Sequence, residues 1–184
     1  SRTRAGGPRT SERAARLLAE LGLAPPPLTA VVVGTNGKGS VTAMIARGLS
    51  AMGRRTGRFL SPHVEEFRER VAVDGVPVGE AAVVRFVEEA RLLDAAWPHG
   101  EATRPAFFEW PLPLPLGEAR RAGADACVLE AGVGGRYDAT RAVEPVDLVV
   151  LTNVDLDHME TLGSTLPLIA HDKAGAFRPG VPAV

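Results

Sequence analysis

Lysine is nearly missing from this chain. Of 21 basic residues among 184, only Lys38 and Lys173 are lysines, and the rest are arginine. A chain so biased towards arginine retains two lysines for chemistry that a guanidinium does not do. Cysteine is scarcer still. Cys127 stands alone in the apolar run Ala126 to Leu129, which excludes a disulfide framework and a cysteine metal cluster and leaves a small buried hydrophobe. No charge of either sign dominates: 21 basic against 22 acidic residues gives a net charge of −1, so nothing favours a nucleic acid or a membrane surface as partner. No apolar run reaches the roughly 18 residues of a membrane span, and no signal peptide is visible, which makes a cytoplasmic protein the default.

What is present centres on Val31-Val32-Val33-Gly34-Thr35-Asn36-Gly37-Lys38-Gly39-Ser40. A β-branched run enters a glycine-rich loop, and an amphipathic segment follows with Val41, Met44, Ile45, Gly48, Leu49 and Met52 on one expected face. The spacing predicts strand, phosphate loop and helix. Glycines let backbone N–H groups turn towards an anion, and a helix N-terminus adds partial positive charge. Lys38 would reach the β- and γ-phosphates of ATP, and Ser40 or Thr35 a phosphate or Mg²⁺. The alternative is a plain glycine-rich turn. Gly39 is irregular, since the common phosphate loop has Ser or Thr directly after its lysine.

Along the chain, Thr10 or Ser11 can cap a helix that buries Ala14, Leu17, Leu18 and Leu21, while residues 1–8 are Arg/Gly-rich and patternless. Gly57 to Leu60 is a short strand. Val71, Val73, Val76 and Val78 alternate around Asp74-Gly75, a hairpin signal. A helix is expected over Glu80 to Asp94, with Val83, Phe86, Val87, Ala90 and Leu93 inward. From Phe107 to Ala122 a helix is due by position, yet Pro111, Pro113 and Pro115 oppose it. Either it starts after Pro115, or the stretch is extended or disordered. Ala126 to Glu130 and Leu148 to Thr152 are buried strands, and Ser164 to Ala174 is a helix with Pro167 in its first turn. Strands alternating with helices predict an α/β fold of the P-loop type: a mostly parallel sheet with helices on both faces.

In such a sheet the carboxyl ends of the strands meet at the ligand. Those ends carry the phosphate loop, Ser61 and His63, Glu130, and Asp155, Asp157 and His158. A carboxylate closing an apolar strand must be paired or bind a cation. Glu130 with Ser61 and His158 is a sufficient protein contribution for Mg²⁺, which keeps waters and phosphate oxygens, although histidine is an unusual ligand for it. His158 alone would pass for a capping histidine, and Lys173 for a surface lysine.

Taken in order, five motifs carry a resemblance: Gly34 to Ser40; Ser61-Pro62-His63 with Phe67, Glu69 and Arg70; Leu129 to Thr140; Leu156-Asp157-His158 with Leu162-Gly163; and Asp172-Lys173-Ala174-Gly175. The set, from about Gly6 to the end, resembles the folylpolyglutamate synthase/dihydrofolate synthase branch of the Mur ligase superfamily. The resemblance implies that residues 34–40 hold ATP and that Ser61, Glu130 and His158 hold two Mg²⁺ ions. It implies that Lys38, Glu130, His158 and Lys173 serve catalysis, with Lys173 at the position carbamylated in the family. It places Ser61, Pro62, His63, Phe67 and Arg70 beside the pterin or folate. The implied reaction joins L-glutamate to a pteroate or folate carboxylate through an acyl phosphate, in a monomer with small-molecule substrates only. Departures are Val31-Val32-Val33 where the family has a histidine, Arg141 where it has asparagine, and the three prolines. The resemblance also implies that residues 1–184 are a partial ATP-binding domain, truncated at the C-terminus and without the second domain that helps bind the amino acid. A different P-loop ATPase or kinase, or a weakly binding fragment, are the rival expectations.

Overall fold

The computed structural model describes residues 10–184; the Arg/Gly-rich residues 1–8 and the onset of the resemblance at Gly6 lie outside them. A first helix, α1 (Thr10–Glu20), precedes the central strand β1 (Leu28–Val33), and α2 (Lys38–Ala51) follows it. Thr10 and Ser11 both lie inside α1. Next come β2 (Thr56–Phe59), the hairpin β3 (Val71–Val73) and β4 (Val76–Pro77), and α3 (Glu80–Ala95). The chain continues through α4 (Pro113–Arg121), β5 (Ala126–Glu130), β6 (Leu148–Leu151), a one-turn α5 (Met159–Leu162) and α6 (Leu166–Ala174).

The six strands form one sheet in the order β4-β3-β2-β5-β1-β6. β2, β5, β1 and β6 run parallel, and the hairpin adds an antiparallel edge. Its turn has positive φ at both Asp74 (51°) and Gly75 (81°), the geometry a two-residue hairpin needs. Alternation along the buried strands sorts side chains to two faces. Val31, Val33, Phe59, Leu129 and Val149 meet α1, α3 and α4 in the larger core, while Ala30, Val32 and Val128 meet α2.

Three expectations need correction. The buried stripe of α2 runs through Thr42 and Ala46, with Val41, Ile45 and Leu49 half-buried beside it. Met44 lies on the outer side and Met52 follows the last helical residue, so both are exposed. In α3, Val83 and Phe86 pack on the core, but Val87 faces solvent. The proline stretch is helical from Pro113. Pro113 and Pro115 occupy the first turn, where N–H groups have no acceptor within the helix, so the missing donors cost nothing. Leu112, Leu114 and Leu116 are buried there in the larger core.

Candidate active site

The loop after β1 is held in shape by the end of β6. Thr35 N donates to Asn153 O (3.0 Å), Asn36 N to Asn153 Oδ1 (2.8 Å) and Thr152 Oγ1 to Asn36 O (2.7 Å). Thr35 Oγ1 both donates to Asp155 O and accepts from Asp155 N. A side chain at Gly34, whose φ is +147°, would run into the Thr152 hydroxyl. Gly37 (φ +77°) then turns the backbone into the N-terminus of α2, the 14-residue helix that Lys38 opens. Both lysines of the chain converge here: Lys173 Nζ donates to Gly34 O (2.6 Å) and Lys38 Nζ to the next carbonyl, Thr35 O (3.0 Å). Lys173 is no snorkelling surface residue, being only 2% exposed. Burial and then the charge of Lys38 lower its pKa, against the pull of Asp157 and Asp172.

Lys173 reaches that carbonyl because α6 docks against the glycine turn after β5. Gly135 N donates to Asp172 Oδ1 (3.0 Å) and Arg136 N to Asp172 O (2.9 Å). A Cβ on Gly135 would sit 2.5 Å from Lys173 O and 3.1 Å from the Ala176 methyl. Gly135→Ala is therefore expected to push α6 off its seat and cost about 1–3 kcal/mol, as overpacking does. Urea denaturation measures that loss, and an unchanged midpoint would contradict the docking.

Glu130, at the end of β5, joins two parts of the site. Its Oε2 accepts Ser61 N (2.8 Å), and a Cβ on Gly39 would come within 3.3 Å of the same oxygen. The glycine that departs from the common phosphate loop thus leaves room for this carboxyl. Burial raises the Glu130 pKa, opposed by the Ser61 N–H and the charge of Lys38. On its other side Glu130 lines a cavity of about 260 Å³, together with Ser61, His158, Phe59, Leu112 and Phe108. A buried carboxyl that accepts from the Ser61 N–H, next to a hydroxyl and a phosphate loop, is a donor set that suits a hard cation such as Mg²⁺. His158 stands at the same cavity with a left-handed backbone (φ 48°) and a half-exposed ring near Asp157 (3.6 Å). No group of three or more His, Cys, Asp or Glu side chains is gathered for a metal among the described residues.

Ser61, Pro62 and Arg70 line the cavity, whereas His63 and Phe67 stand outside that wall and support Arg70. Arg70 Nε donates to His63 Nδ1 (2.9 Å), and its guanidinium lies 5.3 Å from the Phe67 ring centre. Ser40 is exposed at the first turn of α2, away from the cavity.

The Mur ligase middle domain family matches residues 32–178. The chain belongs to that family. It is 43% identical over 155 residues to a probable bifunctional folylpolyglutamate synthase/dihydropteroate synthase of Haloferax volcanii, covering 83% of this chain and 18% of that protein. It is 38% identical over 154 residues to the dihydrofolate synthase/folylpolyglutamate synthase of Bacillus subtilis, covering 83% and 36%. The fold matches Escherichia coli FolC, solved with DHPP and ADP, at a TM-score of 0.84 and 35% identity over 94% of this chain and 40% of that one. The chain therefore spans well under half of these relatives. The Mur ligase fold accounts for the parallel sheet, the loop and the α2 N-terminus as one unit.

Sequence reasoning gave no role to three sets of contacts in and around the site. Asp138 is buried and braces the glycine turn: Gly132 N and Val133 N donate to its Oδ2, and Thr140 N and Oγ1 to its Oδ1. Burial nonetheless raises its pKa. The Asp-x-Thr spacing, an acceptor two residues before its donors, was the available signal. The Asn153 contact to Asn36 and the buried pair Arg13–Glu109 (2.6 Å) join residues more than ninety positions apart, and no local pattern announces either.

Proposed function

We propose that this chain is the ATP-handling part of a cytoplasmic, monomeric folylpolyglutamate or dihydrofolate synthase, which joins L-glutamate to a dihydropteroate or folate carboxylate. One observation carries the reading: the phosphate loop and the apolar cavity share the Glu130 carboxyl as a wall. A flat ring system in the cavity, between Leu112 and the Phe108 side, would project its carboxylate towards the loop. Lys38 and the loop amides bind and orient the phosphates of ATP, so that the substrate carboxylate attacks the γ-phosphorus in line, the bond to the β–γ bridging oxygen breaks and ADP leaves. The acyl phosphate so formed yields to the glutamate amine, with phosphate leaving. Glu130, Ser61 and His158 would hold Mg²⁺, which supplies charge neutralisation on the transferring phosphoryl group. Lys173, buried and lowered in pKa, keeps a larger share of neutral amine than a surface lysine, the form that takes up CO₂ to become a carbamate.

The test is isothermal titration of the chain with Mg-ATP, followed by an assay for glutamate addition to dihydropteroate in the longest product of the same gene. ATP binding by the chain and amide formation by the longer product are expected. Phosphoryl transfer to a small molecule without an amide product would replace the ligase by a kinase, and absence of ATP binding in both would overturn the site.

A further inference from the structure

The buried pair Arg13–Glu109 lies outside the phosphate loop and outside the cation site, and it does not line the cavity itself, but residues on either side of Glu109 do. Glu109 is fully buried and Arg13 is 7% exposed. Arg13 Nη2, on α1, donates to Glu109 Oε1 at 2.6 Å, and Ala106 N donates to Glu109 Oε2 at 2.6 Å. The same short segment closes on itself through its main chain, with Glu109 N bonded to Ala106 O and Leu112 N to Glu109 O. Glu109 therefore locks residues 106–112 from the inside, and Arg13 fixes that lock to a helix of the scaffold.

The residues flanking Glu109 are cavity wall. Phe107 and Phe108 precede it and Pro111 and Leu112 follow it. The two phenylalanine rings meet edge to face at 5.5 Å and are 67% and 43% exposed, and the backbone that carries them is the segment Glu109 locks. One helical turn before Arg13, on the same side of α1, Thr10 also lines the cavity, and its Oγ1 is buried with no hydrogen-bond partner. An ion pair this deep is weak as a source of stability, because desolvation offsets most of the attraction. Fixing geometry is the use it serves better.

The geometry points to Arg13 and Glu109 as positioning residues of the substrate cavity, holding the Phe107–Leu112 wall in the shape that accepts the ring system of the acid substrate. The inference rests on the functional reading above. It concerns the acid substrate alone, because the pair makes no contact with the phosphate loop.

The decisive variant is the double replacement Arg13→Met with Glu109→Leu. Breaking a buried pair by removing one partner strands a charge, whereas replacing both by apolar side chains of similar size tends to leave the fold intact. Three readouts are taken on the 184-residue chain: the melting temperature, the Kd for dihydropteroate from quenching of Trp110 and Trp97, and the Kd for Mg-ATP. The expected result is an unchanged melting temperature and ATP affinity with dihydropteroate binding weakened about tenfold or more, the scale on which supporting residues act. A double variant that keeps wild-type dihydropteroate affinity overturns the assignment. So does one that no longer folds, since the pair would then be a requirement of the fold rather than of the cavity. If the wild-type chain itself binds no dihydropteroate, the functional reading fails and the positioning role with it; equal binding by wild type and double variant sinks the positioning role alone.

Discussion

Lys38→Ala should remove measurable ATP binding while leaving the fold intact. Lys38 is half-buried and its ammonium donates to the Thr35 carbonyl within its own loop, so its loss strips nothing from the core. Its contribution comes with the nucleotide. A hydrogen bond to a charged group is worth about 1.5–3 kcal/mol, and a lysine that serves two phosphates makes two of them. The loss is then at least about a hundredfold in Kd. Lys38→Arg should not rescue it, because a planar fork does not replace a compact ammonium inside a loop that closes on its own carbonyls. Calorimetric titration with Mg-ATP beside a thermal melt checks both variants. Wild-type affinity in Lys38→Ala would show that the loop amides and the α2 N-terminus hold the phosphates unaided.

Lysine usage was the feature of the sequence that pointed most directly at the site. Lys38 and Lys173 are 135 positions apart, and they donate to adjacent carbonyls. What the sequence could not convey was the reason, since Lys173 reaches Gly34 only because α6, capped at Gly175, seats on Gly135 and Arg136, a close contact between segments nearly forty positions apart. Periodicity located the strands, because each is apolar and short. It misjudged the helices wherever a hydrophobic residue sat beside the buried stripe and not on it, as with Met44 and Val87. The prolines misled for a different reason. Propensity penalises proline in a helix interior, but the first turn is exempt, and the position of that turn was set by packing of Leu112, Leu114 and Leu116 on the sheet. The segment Ser61 to Arg70 was legible as a motif, yet its division of labour was not: Arg70 faces the cavity, and His63 and Phe67 hold Arg70.

Glu130→Gln should stabilise the metal-free chain at neutral pH and yet abolish its response to Mg-ATP. Burial lifts the Glu130 carboxyl above its ordinary value of 4.5. Between that value and the folded-state pKa the native protein holds more protons than the unfolded chain, so stability falls as pH rises through the window. Above the window a charged carboxylate sits against an apolar cavity with one N–H donor and the more distant Lys38 charge to offset it. Glutamine can still accept from Ser61 N and carries no charge. In EDTA at pH 7 the variant should melt higher than wild type, by about 2–4 °C for each 1 kcal/mol relieved. Below about pH 4, where wild-type Glu130 is protonated in both states, the difference should vanish. Saturating Mg-ATP should reverse the order. At a hundred times Kd a ligand stabilises its host by about 2.7 kcal/mol, and that gain belongs to wild type if Glu130 faces the cation. The two melting curves, taken with and without Mg-ATP at both pH values, therefore separate a carboxyl kept for the fold from one kept for a ligand. A variant that is destabilised in EDTA would make Glu130 a structural acid. One that gains as much from Mg-ATP as wild type does would remove it from the cation site.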